Sequence, residues 1–316
     1  MTNLILTKTE LSAAPAPAPR RRMSRRVRNE RLALVSMLSP SVLLIGMFVL
    51  APVVYAFYLS FTNTTLLGFD ARNPKFVGLD NFTYLLTNDE FLSSLGRTGI
   101  FILLSAIIGQ TVLGMLAALW LHKTWLRGKG LFGAAVLLPM VVPEVVASLA
   151  WASMLYSGPR GTVNQIIGVF GIGAVDWLQT MALFSIILVN IWRGIAFAMI
   201  MFQAAIEDVP QELIEAAHID GASAWQVFRH VTLPLVRQPI FLFLLLTTIT
   251  TAGIFGLVYF LTQGGPGDDT QLVALYIYDR AFQFSQIGLG SAASVILLIL
   301  VLIFGLTYVR FAKIEV

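Results

Sequence analysis

Long, uninterrupted apolar runs alternate with shorter polar segments along the chain. Six runs stand out, at 34–60, 98–121, 131–156, 180–203, 238–261 and 286–309. Each reaches or exceeds the roughly 20 apolar residues that cross the hydrocarbon core of a bilayer as a helix. In hydrocarbon every backbone N–H and C=O needs an internal partner, so only helices and closed barrels can cross. Barrel strands alternate apolar and polar positions. These runs are continuously apolar, so the pattern predicts an all-α membrane protein with six transmembrane helices. Pro139 and Pro143 fall inside the third run and predict a kink there.

The segments between the runs differ in character. Residues 61–97 are long and polar, and 157–179 is glycine-rich. Residues 262–285 contain TQGGPGDD, a turn-forming cluster. Residues 204–237 carry an amphipathic pattern. Pro210 suits a helix start, and Gln211 to Ile219 then reads as a short helix with Leu213, Ile214 and Ala217 on one face. Gly221 can take positive φ and turn the chain. Ser223 and Gln226 have the spacing of a capping box, followed by an apolar stripe of Ala224, Val227, Phe228 and Val231. Pro234 is expected to close this two-helix unit.

Composition sharpens the picture. Of 316 residues, 57% are hydrophobic and 12% charged, where a soluble domain carries about 25% charged residues. With a mean hydropathy of +0.80, a disordered chain is excluded, and the apolar excess favours a polytopic membrane protein over a soluble enzyme. The absence of cysteine removes disulfides, thiolate metal sites and cysteine nucleophiles. His122, His218 and His230 leave little for a metal centre.

Charge then sets the orientation. Residues 1–31 hold Lys8 and seven arginines against Glu10 and Glu30. A basic tail beside an apolar body points to a cytoplasmic membrane flank, not to nucleic acid. The apolar run that follows is too long for a signal-peptide core of about 7–15 residues, so an uncleaved first span is expected. With both termini inside, the inner segments hold fifteen Lys and Arg and the outer ones five: Arg72, Lys75, Arg97, Arg160 and Arg280. The domain plan is therefore a disordered basic tail at 1–31 and a membrane domain at 32–316. The patterned segment 204–237 then lies in the cytoplasm. It carries Glu207, Asp208, Glu212, Glu215 and Asp220. Acidic residues beside an anionic leaflet favour contact with a protein over contact with lipid.

Within this segment, Glu215-Ala216-Ala217, Asp220-Gly221-Ala222 and Leu233-Pro234 resemble the EAA loop of ABC importer permeases. The string EAAHIDGASAWQVFRHVTLPL is similar to the carbohydrate-uptake branch, related to maltose and glycerol-3-phosphate permeases. FVGLDNF (Phe76–Phe82), NIWRG (Asn190–Gly194) and LTQGGPG (Leu261–Gly267) extend the resemblance over most of 35–310. The resemblance implies a type I ABC importer permease fold in a bacterial inner membrane, with cytoplasmic termini. It also implies a second permease subunit, as a heterodimer, two ATPase subunits and an extracytoplasmic solute-binding protein. The loop would be a coupling helix seated in the ATPase, with Glu215, Ala216, Ala217, Asp220, Gly221, Ala222, Trp225, Phe228, Arg229 and Pro234 as its contact residues. No GxxxxGK[ST] phosphate loop occurs in the chain. Accordingly no cofactor is expected in this subunit, ATP and Mg belonging to the partner ATPases, and the chain is expected to be a transport subunit and not an enzyme.

Ionisable residues inside spans are costly and usually face protein or water. Glu144 and Arg193 are two such residues. They can pair, or Arg193 can lend its donors to a solute cavity. Asn190, Trp192, Gly194 and Phe197 surround Arg193, and an amide beside an aromatic face suits a sugar. In maltose-type permeases the corresponding NxWxG stretch lines the sugar site, so the resemblance extends that role to Asn190, Trp192 and Gly194. Arg193 replaces an apolar residue there. Trp192 can equally pack between helices. On the fifth span Thr247, Thr250 and Thr251 share a face and either join the cavity or bond to their own helix. The solute expected is a carbohydrate or related polyol. The alternatives are a phosphorylated polyol such as a glycerol phosphate, taken through Arg193, and a gradient-driven carrier.

Overall fold

The computed structural model describes residues 36–122 and 128–312. The basic tail expected at 1–31, the start of the first apolar run, and Lys123, Arg127 and Lys313 lie outside these residues. The chain divides into two units, Met1–Val54 and Tyr55–Val316. Regular structure among the described residues is helical, apart from one antiparallel bridge between Thr62 and Phe76.

In chain order the principal helices are α1 (Ser36–Leu59) and α2 (Asp89–His122), α3 (Lys129–Val141) and α4 (Glu144–Met154), and α5 (Ala182–Glu207) and α6 (Gln211–Ile219). They continue with α7 (Ala224–Leu235) and α8 (Arg237–Ala252), α9 (Gly256–Leu261) and α10 (Val273–Tyr278), and α11 (Ile287–Ala312). Four of these, α1, α2, α5 and α11, are long and apolar enough to cross a membrane alone. Two bent pairs, α3 with α4 and α7 with α8, bring the number to six if each pair is one span. Apolar side chains on α1 and α11, among them Phe48, Val54, Leu302 and Phe304, are exposed, as a lipid-facing surface requires.

The breaks have local causes. In the third apolar run the expected kink is a full break of 108° between α3 and α4. Pro143 forces the preceding Val142 into an extended conformation, ψ 126°, which ends α3 at Val141. The fifth run, expected as one span over 238–261, is interrupted at 253–255 and resumes as α9. The fourth helix outruns its expected end at 203. It continues to Glu207 because Ala205 and Ile206 remain buried. The expected loop 204–237 therefore starts inside α5 and ends with Arg237 already in α8. Nor does Pro234 close the two-helix unit, since α7 runs on to Leu235. A wide π-helical turn at Phe228–Thr232 precedes the proline and makes room for its ring.

Two buried clusters bracket the middle of α5. One gathers Phe101 of α2, Ile186, Ile187 and Val189 of α5, Leu257, Val258 and Leu261 of α9, and Leu275 of α10. The other gathers Met115 and Ala118 of α2, Ala198, Phe202 and Ile206 of α5, and Phe243 of α8. Residues 190–197 of α5 fall between them. There α2 and α5 approach unusually closely: a methyl group on Gly114 would overlap the Cβ of Ala198, and one on Gly109 would overlap the Ile191 side chain. Small residues permit such contact, and without a hydrophobic effect between helices in lipid, close packing is a main source of association.

Candidate functional site

Between those clusters lies a cavity of about 460 Å3. It is lined by Gln110 of α2, Glu144 of α4, Asn190, Arg193, Gly194 and Phe197 of α5, Thr247, Thr250 and Thr251 of α8, and the break 253–256. Its polar groups converge from separate helices. Asn190 is buried, and its Nδ2 donates to Ser105 Oγ at 2.8 Å. Gln110 Nε2 donates to the Asn190 carbonyl at 2.9 Å, and Gln110 Oε1 accepts from Thr247 Oγ1 at 2.7 Å. One amide thus ties α2, α5 and α8 together. It fits because residue 194 is glycine: a methyl there would overlap the Gln110 amide.

Arg193 and Glu144 form an ion pair, NH1 to Oε2 at 3.1 Å. The other carboxylate oxygen, Oε1, accepts from the Leu257 backbone N–H at 2.6 Å. The interruption at 253–255 leaves the first N–H groups of α9 without helical partners, and Glu144 satisfies one of them. Gly256 permits this approach, since a Cβ there would stand 2.7 Å from Glu144 Oε1. The two discontinuous runs are therefore joined through a single carboxylate. Arg193 Nε is buried without a hydrogen-bond partner, so part of the guanidinium's donor capacity is uncommitted.

Of the expected cavity residues, Trp192 is the one standing apart. Its ring meets Trp151 edge to face, centroids 5.5 Å apart, and it does not line the cavity. Phe197, backed by Phe243 at 5.8 Å, and Phe255 supply the aromatic wall. Thr250 bonds to the carbonyls of Leu246 and Thr247, whereas Thr247 reaches across to Gln110. Gln110 and Ser105 escaped the sequence reading. Their signal was polarity inside an apolar run, with Gln110 next to Gly109.

The patterned segment folds as two helices about an elbow. Gly221 has φ +81°. Gly221 N–H donates to the His218 carbonyl at 3.1 Å and Ala222 N–H to that of Ala217 at 3.0 Å, the paired bonds of a Schellman ending. The capping box is present: Gln226 N–H donates to Ser223 Oγ and Ser223 N–H to Gln226 Oε1. Ile214 and Phe228 pack against the second buried cluster, and Val227 is buried. Ala224, expected on this inner stripe, is exposed instead. On the other side Glu215, Ala216, Asp220, Gly221, Trp225, Arg229 and Pro234 are exposed, while Ala217 and Ala222 are half-buried. Trp225 is 65% exposed and Ile219 86%, and the Trp225 ring lies beside Phe228, centroids 5.6 Å apart.

A family model described as binding-protein-dependent transport system inner membrane component matches residues 110–314, which include both the cavity and the elbow. The trehalose/maltose transport system permease protein MalF of Thermococcus litoralis is 33% identical over 279 residues, covering 88% of this chain and 92% of that protein. The sulfoquinovosyl glycerol transport system permease protein SmoG of Agrobacterium fabrum is 30% identical over 290 residues, covering 90% and 91%. Among solved structures, a bacterial ABC transporter involved in alginate import shares the fold with a TM-score of 0.76 at 22% identity, over 91% of this chain and 97% of that one. The chain belongs to the binding-protein-dependent transport system inner membrane components, the permease subunits of ABC importers.

Proposed function

We propose that this permease carries a neutral carbohydrate or related polyol into the cytoplasm, through the cavity at the middle of α5. The observation that carries the reading is the Arg193–Glu144 pair in a wall of amides and hydroxyls. Arginine alone would favour a phosphate or carboxylate. Paired with Glu144 it leaves the cavity formally neutral. Asn190, Gln110 and the threonines add both donors and acceptors, and Phe197 offers a face for sugar C–H groups. The relative named for trehalose and maltose supports the same neutral class.

Coupling belongs to the elbow at Gly221. Its inner face packs on α5 and α8, and its outer face presents Trp225 and Ile219. An ATPase subunit seated there would pass its closure to the helices that line the cavity. In this arrangement both termini are cytoplasmic, a second permease subunit completes the pathway as a heterodimer, and two ATPase subunits hold ATP and Mg. An extracytoplasmic binding protein delivers the solute.

The test is uptake by the assembled importer in proteoliposomes, with neutral disaccharides and polyols set against phosphorylated and uronic acid analogues. ATP-dependent uptake of a neutral member is expected. Preference for the anionic analogues sinks the solute class, and uptake driven by an ion gradient without ATP sinks the coupling.

A further inference from the structure

A second polar cavity, of about 350 Å3, lies away from the first, among the start of α2, the end of α9, the turn after it and the segment following α10. By volume it holds roughly ten waters at about 30 Å3 each, room for one long side chain. Glu90, Tyr259, Asp268, Gln271 and Asp279 are among its lining residues.

The charges inside it do not balance. Glu90 is taken by Arg280, whose guanidinium also lies 4.9 Å from the Tyr276 ring centroid and 5.1 Å from that of Phe284. Asp268 and Asp279 have no cation of their own among the described residues. Gln271 is 6% exposed; its Nε2 donates to Asp279 Oδ2 at 3.3 Å, while its Oε1 is buried without a hydrogen-bond partner. A buried carbonyl oxygen left unpaired costs about 1–3 kcal/mol, so an occupant that donates to it is favoured. Burial holds the Asp279 carboxyl above the usual carboxylate range, with Glu90 and Asp268 adding to the rise against Gln271 and Arg280.

The lining also holds the amides of Gln263 and Gln283, which both donate and accept, but the charged side chains left without a cation are both carboxylates, Asp268 and Asp279. The complement is a group with several N–H donors and a positive charge. An ammonium or guanidinium supplies both. Among the described residues no cluster of three or more His, Cys, Asp or Glu could hold a metal ion, which favours the organic cation.

We infer that this cavity is a socket for a lysine or arginine side chain of the solute-binding protein, filled when that protein docks. The inference rests on the import reading above, which puts residues 262–285 on the outer face. A structural neighbour has been solved in complex with its periplasmic protein, so docking by such a protein is compatible with this fold. Charge complementarity selects a basic side chain over an acidic or apolar one.

The experiment uses the whole importer in nanodiscs with its own binding protein. Asp279→Asn and Asp268→Asn/Asp279→Asn are expected to raise the Kd for the binding protein by about tenfold or more at low salt, and to flatten its salt dependence. One Lys→Ala or Arg→Ala change on the docking face of the binding protein should weaken wild-type binding equally and have no further effect on Asp279→Asn. Gln271→Leu, which removes the buried amide oxygen together with the Nε2 donor to Asp279 but leaves both carboxylates in place, should give a smaller loss than the double Asp variant. Melting temperatures confirm that each variant is folded. Wild-type affinity in both Asp variants overturns the socket, as does a loss that no basic residue of the binding protein shares. Altered uptake of an amine solute with unchanged docking makes the cavity a solute station and also overturns it. If the wild-type assembly imports nothing with ATP and its binding protein, the import reading fails as well.

Discussion

Replacing Gly194 by alanine puts a methyl group where the Gln110 amide now sits. Gln110 must then move and give up two hydrogen bonds, to the Asn190 carbonyl and from Thr247 Oγ1. Interhelical bonds in membrane proteins are worth about 0.6–1.7 kcal/mol each, so their loss costs roughly 1–3 kcal/mol. Gln110 is 3% exposed, and displacing a buried amide without new partners costs about 1–3 kcal/mol more. Alanine returns about 1 kcal/mol through its better helix propensity. The net expectation is a loss of roughly 1–5 kcal/mol. The decisive comparison uses a Gln110→Ala background. There the obstructing side chain is gone, and Gly194→Ala should stabilise by about 1 kcal/mol. Thermal unfolding of the four proteins in nanodiscs reads the sign directly. Equal destabilisation in both backgrounds, or no effect in either, refutes the account of this junction.

Other perturbations separate the roles of neighbouring residues. Glu144→Gln leaves Arg193 without its counter-charge, so the ratio of anionic to neutral solute uptake should rise; an unchanged ratio in a competition assay denies the pair any part in selectivity. Trp192→Ala should lower the melting temperature through loss of the Trp151 contact while leaving solute affinity near wild type, whereas Phe197→Ala should lower affinity; the reverse order would exchange their places. Gly221→Val meets no atom within 4 Å but puts a β-branched residue at φ +81°, a strain of about 1–3 kcal/mol; uptake and solute-stimulated ATP hydrolysis should fall together, and intact coupling counts against the elbow. Asp279→Asn removes a carboxylate whose folded pKa is raised, chiefly by burial. The raised value means ionisation opposes folding, so the variant should melt higher than wild type above the raised pKa. The gain should vanish as pH falls below the ordinary carboxylate range, where the wild type is protonated in both states; a difference independent of pH excludes this titration as its source.

Much of the architecture was legible because lipid imposes a simple rule on sequence. Runs of apolar residues located α1, α2, α5 and α11, and the capping residues Ser223 and Gln226 and the elbow glycine located α6 and the start of α7. Pro139 and Pro143 announced a disturbance in the third run but not its size. The interruption at 253–255 was marked only by Gly253 and Gly256, since Ile254 and Phe255 are as apolar as the helices beside them. What stabilises it is a carboxylate from residue 144, distant in sequence. Glu144 and Arg193 each stood out as an ionisable residue in a span, yet only the fold decides between a pair and two separate contacts. Trp192 and Phe197 show the same limit: both are aromatic residues on α5, and only helix rotation determines which faces the cavity and which meets Trp151.

The contact of Gly114 with Ala198, and of Gly109 with Ile191, has a mechanical consequence. Backbones this near cannot slide past one another without bulkier residues colliding, so α2 and α5 act as a single stiff beam. Any change in the shape of the cavity they border is expected where the helices are already interrupted, at 142–143, at 236 and at 253–255. Substitutions that thicken the beam should therefore slow turnover even when they touch neither solute nor ATPase.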